Sequence, residues 1–167
     1  MSPPDTIAID LFGIPCDAGA SRRGCVMGPE AMRIAGLADV LSGLGHTVVE
    51  RGDIASPAAP GNTSVWQSPH SRQAEVLTLA SQSSQQAVAT LHAGRLPVFI
   101  GGDHSLSIGT LSGVAQHCAA IGRPLFVLWV DAHGDFNTPA TSETGNIHGM
   151  PLALLCGEPD FGPAFAG

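Results

Sequence analysis

Four short, largely apolar runs constrain the fold of this chain more than any other feature. They are IAIDLFGI at 7–14, HTVVE at 46–50, LPVFI at 96–100 and PLFVLWV at 124–130. Near-continuous apolar runs of this length are typical of strands that helices bury on both faces, and sheets of such strands are parallel. With helical spacing between the runs, the order βαβαβαβ predicts an α/β fold, a three-layer αβα arrangement with a mainly parallel sheet.

The segments between the runs show the three- and four-residue spacing of amphipathic helices. Pro29 is suited to begin the first helix, and Gly45 is suited to end it. A second helix is predicted from Ser71 to Gly94, after a loop rich in Pro, Ser and Gly at 55–69. The first and third helices carry apolar faces, made of Ile34, Leu37, Leu41 and Leu44 and of Ile108, Leu111, Ala115 and Cys118. No domain boundary is evident, so residues 1–167 are predicted to form a single α/β domain.

Composition and charge argue against several classes of protein. Of the 167 residues, 44% are hydrophobic and 13% are charged, which is typical of a folded domain. The net charge is −7 and the basic residues form no run, so we expect no nucleic-acid partner. We see no secretory signal and no apolar segment near the roughly 18 residues of a membrane span, so a cytoplasmic protein with no membrane partner is expected. The four cysteines form no CxxC pair, which argues against a zinc knuckle and a disulfide framework.

Two of the predicted strands run directly into potential metal ligands. His104 follows the third run, in GGDHS, and Asp131, His133 and Asp135 follow the fourth run, in DAHGD. Ligands of parallel sheets bind outside the carboxyl ends of the strands, so these side chains are expected at one point. Mixed histidine and carboxylate ligands without thiolate suit Mn²⁺, Fe²⁺, Co²⁺ or Zn²⁺. A water shared by two such ions would be acidified to hydroxide near neutral pH, which supplies a nucleophile for an unreactive carbon.

The segments GGDHSLSIG and WVDAHGDFNTPATSETGNIHGMP together resemble the arginases, within the ureohydrolase family of binuclear manganese hydrolases. Upstream, RRGCVMGPEAMR looks like the first loop and helix of that family, so the resemblance covers roughly residues 6 to 155. It implies hydrolysis of L-arginine to L-ornithine and urea, two Mn²⁺ ions per complete site, and a homo-oligomer. The portion GNIHG is similar to arginases proper and differs from the agmatinase branch.

The resemblance also implies a role for each site residue. His104 and Asp135 would bind one Mn²⁺, His133 would bind the other, and Asp131 would bridge both ions. His148 would shuttle protons, and it is counted with Asp135 as catalytic. The α-amino and α-carboxylate groups of arginine would be held by Asn137, Thr144 and Asn146. Thr144 stands where the family usually has serine, and its extra methyl group restricts the rotamer. Asp103 either orients His104 or caps the turn that carries it.

The family's metal centre also needs two aspartates from a later strand end, in a D-x-D context. After Asp135 this chain has only Glu143, Glu158 and Asp160 as acidic residues, and the E-x-D at 158–160 does not follow an apolar strand. The resemblance therefore implies the first half of the fold, with the sheet truncated after about four strands and the domain incomplete at its C-terminus. We expect little or no arginase activity from this chain. Two alternatives remain: another ureohydrolase acting on a different guanidino compound, and a non-catalytic metal-binding remnant.

Overall fold

The computed structural model describes residues 6–54 and 69–161. Within them lies a parallel sheet of three strands, β1 (Ala8–Ile14), β2 (Thr47–Asp53) and β3 (Leu96–Gly101), in the order β2-β1-β3. The helices of the described residues are α1 (Gly28–Ile34), α2 (Leu37–Gly43), α3 (Pro69–His92), α4 (Ser107–Ala120) and α5 (Pro151–Leu155). The predicted α/β fold with a parallel sheet is confirmed.

The central strand β1 is buried along almost its whole length. Leu11 and Ile14 are fully buried, and Ile9 and Phe12 are nearly so. The strand pairs with β2 on one side and β3 on the other, and Ile9 lies opposite both Val48 and Leu96. A strand in this position has apolar neighbours on both faces, which is why its sequence is apolar without strict alternation.

One carboxylate interrupts the apolar character of β1. Asp10 is 3% exposed, and its carboxylate lies 2.9 Å from the Arg51 guanidinium and 2.5 Å from that of Arg95. Burial alone would raise the pKa of Asp10, but the hydrogen bonds from Arg51 and Arg95 hold the pKa below its usual value. The buried charge is therefore paired, as a charge in this position must be.

The main core forms where α3 and α4 pack on each other and on the end of β1. Its buried members are Ile14, Cys16, Ala18, Val76, Leu79, Ala80 and Ile108. Gly109 allows the two helices to approach closely, because a Cβ atom there would lie 2.2 Å from the carbonyl oxygen of Ala80. Burial raises the pKa of the Cys16 thiol to about 12, so this cysteine is an inert core residue.

The single first helix predicted from the apolar spacing is wrong in one respect. Gly36 takes a left-handed conformation with φ of 79°, and this turn separates α1 from α2. The predicted apolar face is only partly buried, since Ile34 is 80% and Leu44 is 59% exposed, whereas Leu37 and Leu41 are half-buried. The other two predicted helices correspond to α3 and α4, and their ends agree with the structure to within a few residues.

The predicted fourth strand is wrong for this chain. Residues 124–130 have no strand assignment and pair with no described strand, and the edge of β3 away from β1 is unpaired within the described residues. Phe126, Leu128 and Val130 are 85%, 77% and 87% exposed. Apolar character favours a buried strand, but a strand is completed only by hydrogen bonds to a neighbour, and residues 124–130 form no ladder with the free edge of β3 or with any other described segment.

Two further predictions concern the loop at 55–69 and membrane-spanning segments. The predicted loop at 55–69 lies, for residues 55–68, outside the part of the chain that the structure describes. No helix among the described residues is long and apolar enough to cross a membrane.

Candidate metal and substrate site

The first candidate ligand, His104, lies in a short helical turn directly after β3. Asp103 caps this turn by accepting a hydrogen bond from the backbone N–H of Ser105 at 2.9 Å. Its other carboxylate oxygen accepts from the N–H of Gly19 at 2.8 Å, so Asp103 also ties the turn to the loop after β1. Of the two roles considered for Asp103, the structure supports capping. His104 is thereby held at the carboxyl end of the sheet, where parallel folds place their ligands.

Three candidate ligands converge at this end of the sheet. The Nδ1 atom of His104 lies 3.1 Å from Oδ2 of Asp131 and 2.7 Å from Oδ2 of Asp135. Each of the three residues offers a ligand atom within 4.8 Å of the others. The hydrogen bond from the His133 backbone N–H, more than any other interaction, holds the pKa of Asp131 below its usual value. A carboxylate that stays ionised suits cation binding.

Asp135 carries the strongest sign that a cation fits here. It is 9% exposed, and it is the one non-glycine residue with positive φ, 45°, in the part of the chain that the structure describes. Its backbone carbonyl accepts from the N–H of Leu152 at 3.0 Å, which anchors this unusual conformation to α5. The buried Oδ2 has no aligned hydrogen-bond donor among the described residues, although His104 Nδ1 is close to it. A buried carboxylate oxygen without a donor is costly unless a cation neutralises it.

His133 behaves differently from the other three predicted ligands. Its side chain is 83% exposed, and its Nδ1 atom lies 3.4 Å from Oδ1 of Asp131. It does not belong to the group whose ligand atoms converge. The arrangement therefore fits one ion between His104, Asp131 and Asp135, and His133 lies beside Asp131 at the rim.

The predicted substrate residues lie on a loop that closes on itself. The backbone N–H of Asn137 donates to the carbonyl of Gly149 at 3.1 Å, which joins the two ends of the loop. Within it, the hydroxyl of Thr144 accepts from the N–H of Asn146 at 3.3 Å. This closure places short polar side chains at both ends of the loop near one another.

The same loop is docked on the loop that follows β1. The side-chain amide of Asn146 donates to the Ser21 hydroxyl at 3.1 Å, and the backbone N–H of His148 donates to the Gly19 carbonyl at 3.2 Å. Asn146 is 8% exposed, and its buried Oδ1 accepts no hydrogen bond from the described residues. One acceptor is thus left free on a side chain whose amide nitrogen is already held.

All eight predicted site residues line one open cleft of about 1070 Å³: His104, Asp131, His133, Asp135, Asn137, Thr144, Asn146 and His148. Glu143 lines it as well. The E-x-D at 158–160 is not part of the converging ligand group, and Asp160 accepts instead from the Thr138 hydroxyl at 2.9 Å. The cleft joins an end where histidine and carboxylate side chains converge to an end rich in neutral donors and acceptors.

Sequence reasoning missed several residues that support the site. Ser21 and Gly19 gave no signal, because their partners are more than a hundred residues away along the chain. Trp129 stacks on the ring of His104, with centroids 4.7 Å apart and planes tilted by 21°. For Trp129 a signal existed, since it precedes Asp131 by two residues and alternate residues of an extended segment share a face.

Comparisons with known proteins show which sequences and folds this chain is similar to. An arginase from Agrobacterium fabrum is 44% identical over 151 residues, which cover 90% of this chain and 46% of that protein. The structure of arginase from Bacillus caldovelox superposes with a TM-score of 0.81 at 40% identity, over 96% of this chain and 52% of that one. Arginase from Entamoeba histolytica in complex with L-ornithine superposes with a TM-score of 0.79 at 28% identity, over 96% of this chain and 52% of that one.

The chain spans about half the length of the relatives it matches. A family model, the Arginase family, matches residues 7–162, which is nearly all of the described fold. Together with the converging ligands and the polar loop beside them, this match shows that the chain belongs to the arginase family.

Proposed function

We propose that this chain carries part of an active site that hydrolyses L-arginine to L-ornithine and urea, with Mn²⁺ as the metal. The observation that carries the proposal is the buried Oδ2 of Asp135, which lacks an aligned donor and faces the same cleft as the predicted substrate residues. Membership of the arginase family supports arginine as the substrate. The L-ornithine bound to the Entamoeba histolytica relative is the product expected of this reaction.

The proposed metal ligands lie at the end of the cleft where histidine and carboxylate side chains converge. His104, Asp131 and Asp135 would hold one Mn²⁺ ion, and Asp131 with His133 would hold a second. When bound, Mn²⁺ would lower the pKa of a water molecule so that it can attack the guanidinium carbon of arginine near neutral pH. Ligands without thiolate, rich in oxygen, are compatible with Mn²⁺, and metal availability then decides among the ions that fit.

The polar end of the cleft would hold the amino-acid part of arginine. Asn137, Thr144 and Asn146 offer neutral donors and acceptors for its α-carboxylate and α-ammonium groups. The Oδ1 atom of Asn146 accepts no hydrogen bond from the described residues and is buried, so an ammonium group would satisfy it. The nearby hydroxyl of Thr144 adds a second polar group on the same loop.

His148 is the proposed proton shuttle. Its backbone is fixed by the Gly19 carbonyl, and its half-buried side chain lies in the cleft lining between the substrate loop and solvent. Histidine is the side chain whose ordinary pKa suits proton transfer near neutral pH. Asp135 is proposed to act in catalysis as one of the residues that would hold the ion.

A second candidate function has its own support. Three ligand atoms converge among the described residues, and the two further aspartates that the family's centre needs were not found in the sequence. This favours a chain that binds one metal ion weakly and releases little or no urea by itself. The cytoplasmic location and the homo-oligomer remain predictions.

The test of the metal site uses Mn²⁺ alone. Free Mn²⁺ is measured by electron paramagnetic resonance while the ion is titrated into residues 1–167 and into two variants. We expect Asp135→Asn to weaken Mn²⁺ binding by at least about tenfold, because asparagine tolerates the left-handed backbone but lacks the charge. Asp160→Asn is the matched control, because it makes the same chemical change at a carboxylate outside the ligand group. This variant should bind Mn²⁺ as tightly as the parent chain does. Equal binding by all three proteins would refute the site.

The substrate is tested separately. Urea release and calorimetric binding are measured with L-arginine and with decarboxylated arginine in excess Mn²⁺. Arginine should bind more tightly, because only arginine has the α-carboxylate that the polar loop would hold. Tighter binding of decarboxylated arginine would support the alternative ureohydrolase. Urea release at the rate of a complete arginase would contradict the expectation that this chain is inactive.

A further inference from the structure

Trp129 is set apart from its neighbours by its contact with a candidate metal ligand. It lies in the run 124–130, whose apolar residues Phe126, Leu128 and Val130 are largely exposed. Trp129 is half-buried, and its ring stacks on His104 with centroids 4.7 Å apart and planes 21° from parallel. Stacked and offset rings at such distances attract each other beyond the effect of burial. The stack therefore holds Trp129 in place within a run whose alternate side chains Phe126, Leu128 and Val130 are largely exposed.

Polar contacts do not explain the position of the indole. Its Nε1 atom is buried and makes no hydrogen bond with the described residues. A buried N–H without a partner is unfavourable, so the ring is kept there by its contact with His104 and not by its own polar group. The packing of the two rings is what determines the arrangement.

The stack constrains which edge of the His104 ring faces the carboxylates. A ring held against a parallel neighbour cannot rotate freely about the Cβ–Cγ bond. In the observed orientation Nδ1 points to Asp135 and Asp131, at 2.7 Å and 3.1 Å from their oxygens. Rotation of the imidazole would replace Nδ1 with a carbon atom on this side. The orientation of the ring thus decides whether His104 can act as a ligand.

We propose that Trp129 is a positioning residue for the metal site, which holds the His104 ring so that Nδ1 faces the ion. The proposal rests on the proposed metal-binding function and goes beyond it by adding a residue that does not itself ligate. It also means that the indole lies beside the ion, where a paramagnetic metal would quench its fluorescence. Groups that orient ligating histidines typically change metal affinity by about 10–100-fold when they are replaced.

The first test measures Mn²⁺ affinity in three forms of the chain. Trp129→Phe retains an aromatic ring for the stack, whereas Trp129→Leu retains apolar volume and loses the stack. We expect Trp129→Leu to weaken Mn²⁺ binding by about tenfold or more and Trp129→Phe to restore most of the affinity. Equal affinity of Trp129→Leu and the parent chain would overturn the proposal, as would equal losses in both variants.

The second test uses the fluorescence of Trp129 itself. The chain has two tryptophans, so Trp66→Phe leaves Trp129 as the single emitter. Its emission should be quenched by Mn²⁺ with the same midpoint as binding, and His104→Ala in this background should abolish the quenching at those concentrations. Binding without quenching of Trp129 would overturn the proposed proximity.

A third measurement separates failure of this proposal from failure of the metal site. The ring current of a stacked indole shifts the imidazole proton resonances of His104 upfield, whether or not metal is bound. We expect this shift in the parent chain and its loss in Trp129→Leu. If no form binds Mn²⁺, the proposed metal function fails, and the upfield shift still supports the positioning by Trp129. Absence of the shift in the parent chain would overturn it.

Discussion

The strand β1 and the run 124–130 have similar apolar sequences and opposite environments. In β1, Leu11 is fully buried between two hydrogen-bonded neighbours. In the run, Leu128 is 77% exposed and its segment pairs with no described strand. Apolar side chains gain free energy only where other groups remove them from water. The difference teaches that an apolar run is a potential strand, and that its neighbours decide whether it becomes one.

The largest expected effect is on the free energy of unfolding, when the same leucine-to-alanine substitution is made in both regions. Leu11→Ala should lower the free energy of unfolding by about 2–5 kcal/mol, because it leaves a cavity between the helices and the sheet. Leu128→Ala removes the same atoms from an exposed site and should change it by less than about 0.5 kcal/mol. Urea denaturation followed by circular dichroism measures both. Similar losses in the two variants would show that the run is buried in solution.

The next effect concerns the charge that β1 accepts in its buried centre. Asp10→Asn should lower the free energy of unfolding by about 2–3 kcal/mol at pH 7, since hydrogen bonds to charged groups are worth about 1.5–3 kcal/mol. Because the pKa of Asp10 is lowered in the folded state, this stabilisation is complete above the unfolded pKa of about 3.9. It is lost as the pH falls through the lower, folded pKa.

The same comparison gives the pH test. Denaturation curves of the parent chain and Asp10→Asn are measured from pH 7 to pH 3. The difference between them should be constant down to about pH 5 and shrink below about pH 4. A difference that does not vary with pH would show that the Asp10 ion pairs contribute nothing through their charge. Arg123→Gln, which does not contact Asp10, is a control that should leave the pH dependence unchanged.

A double substitution in the exposed run should have the smallest effect on folding stability but a measurable effect on association between chains. Replacing Phe126 and Leu128 together by serine should change the free energy of unfolding little, because both side chains are already exposed. It should reduce self-association, since contiguous exposed apolar surface and unpaired strand edges promote contacts between chains. Size-exclusion chromatography at several concentrations measures this. The matched control replaces Ile34 and Leu44, which are exposed but not part of an unpaired run.

Local patterns predicted the three strands and the long helices well, because their signals lie within the segments themselves. The predicted ends of β1 and β3 agree with the structure to within a residue. The turn at Gly36 was missed because glycine can also occur inside a helix, and its left-handed φ is not visible in the spacing. The unpaired state of 124–130 depends on neighbours, which no local pattern contains.

The site residues show the same difference between what local sequence signals predict and what depends on the surrounding structure. The rule that ligands lie at the carboxyl ends of parallel strands predicted that His104, Asp131 and Asp135 would meet, and the structure brings them together. The same rule also predicted that His133 would converge with them, but the positive φ of Asp135 belongs to a bend in this segment, and His133 lies outside the converging group. The roles of these residues in binding and catalysis stay predictions.

The hydrogen bonds that dock the loop at 137–149 on the loop after β1 also affect the order in which the chain folds. The contact from Asn146 to Ser21 spans 125 residues, and that from His148 to Gly19 spans slightly more. Such contacts form late, because the chain must close a long loop before they repay the lost conformational entropy. They are also among the first to open when the loop after β1 moves, so the cleft forms one cooperative unit with the first loop. Amide hydrogens at His148 and Asn137 should therefore exchange with solvent at rates that follow the opening of the loop after β1, far from them in sequence.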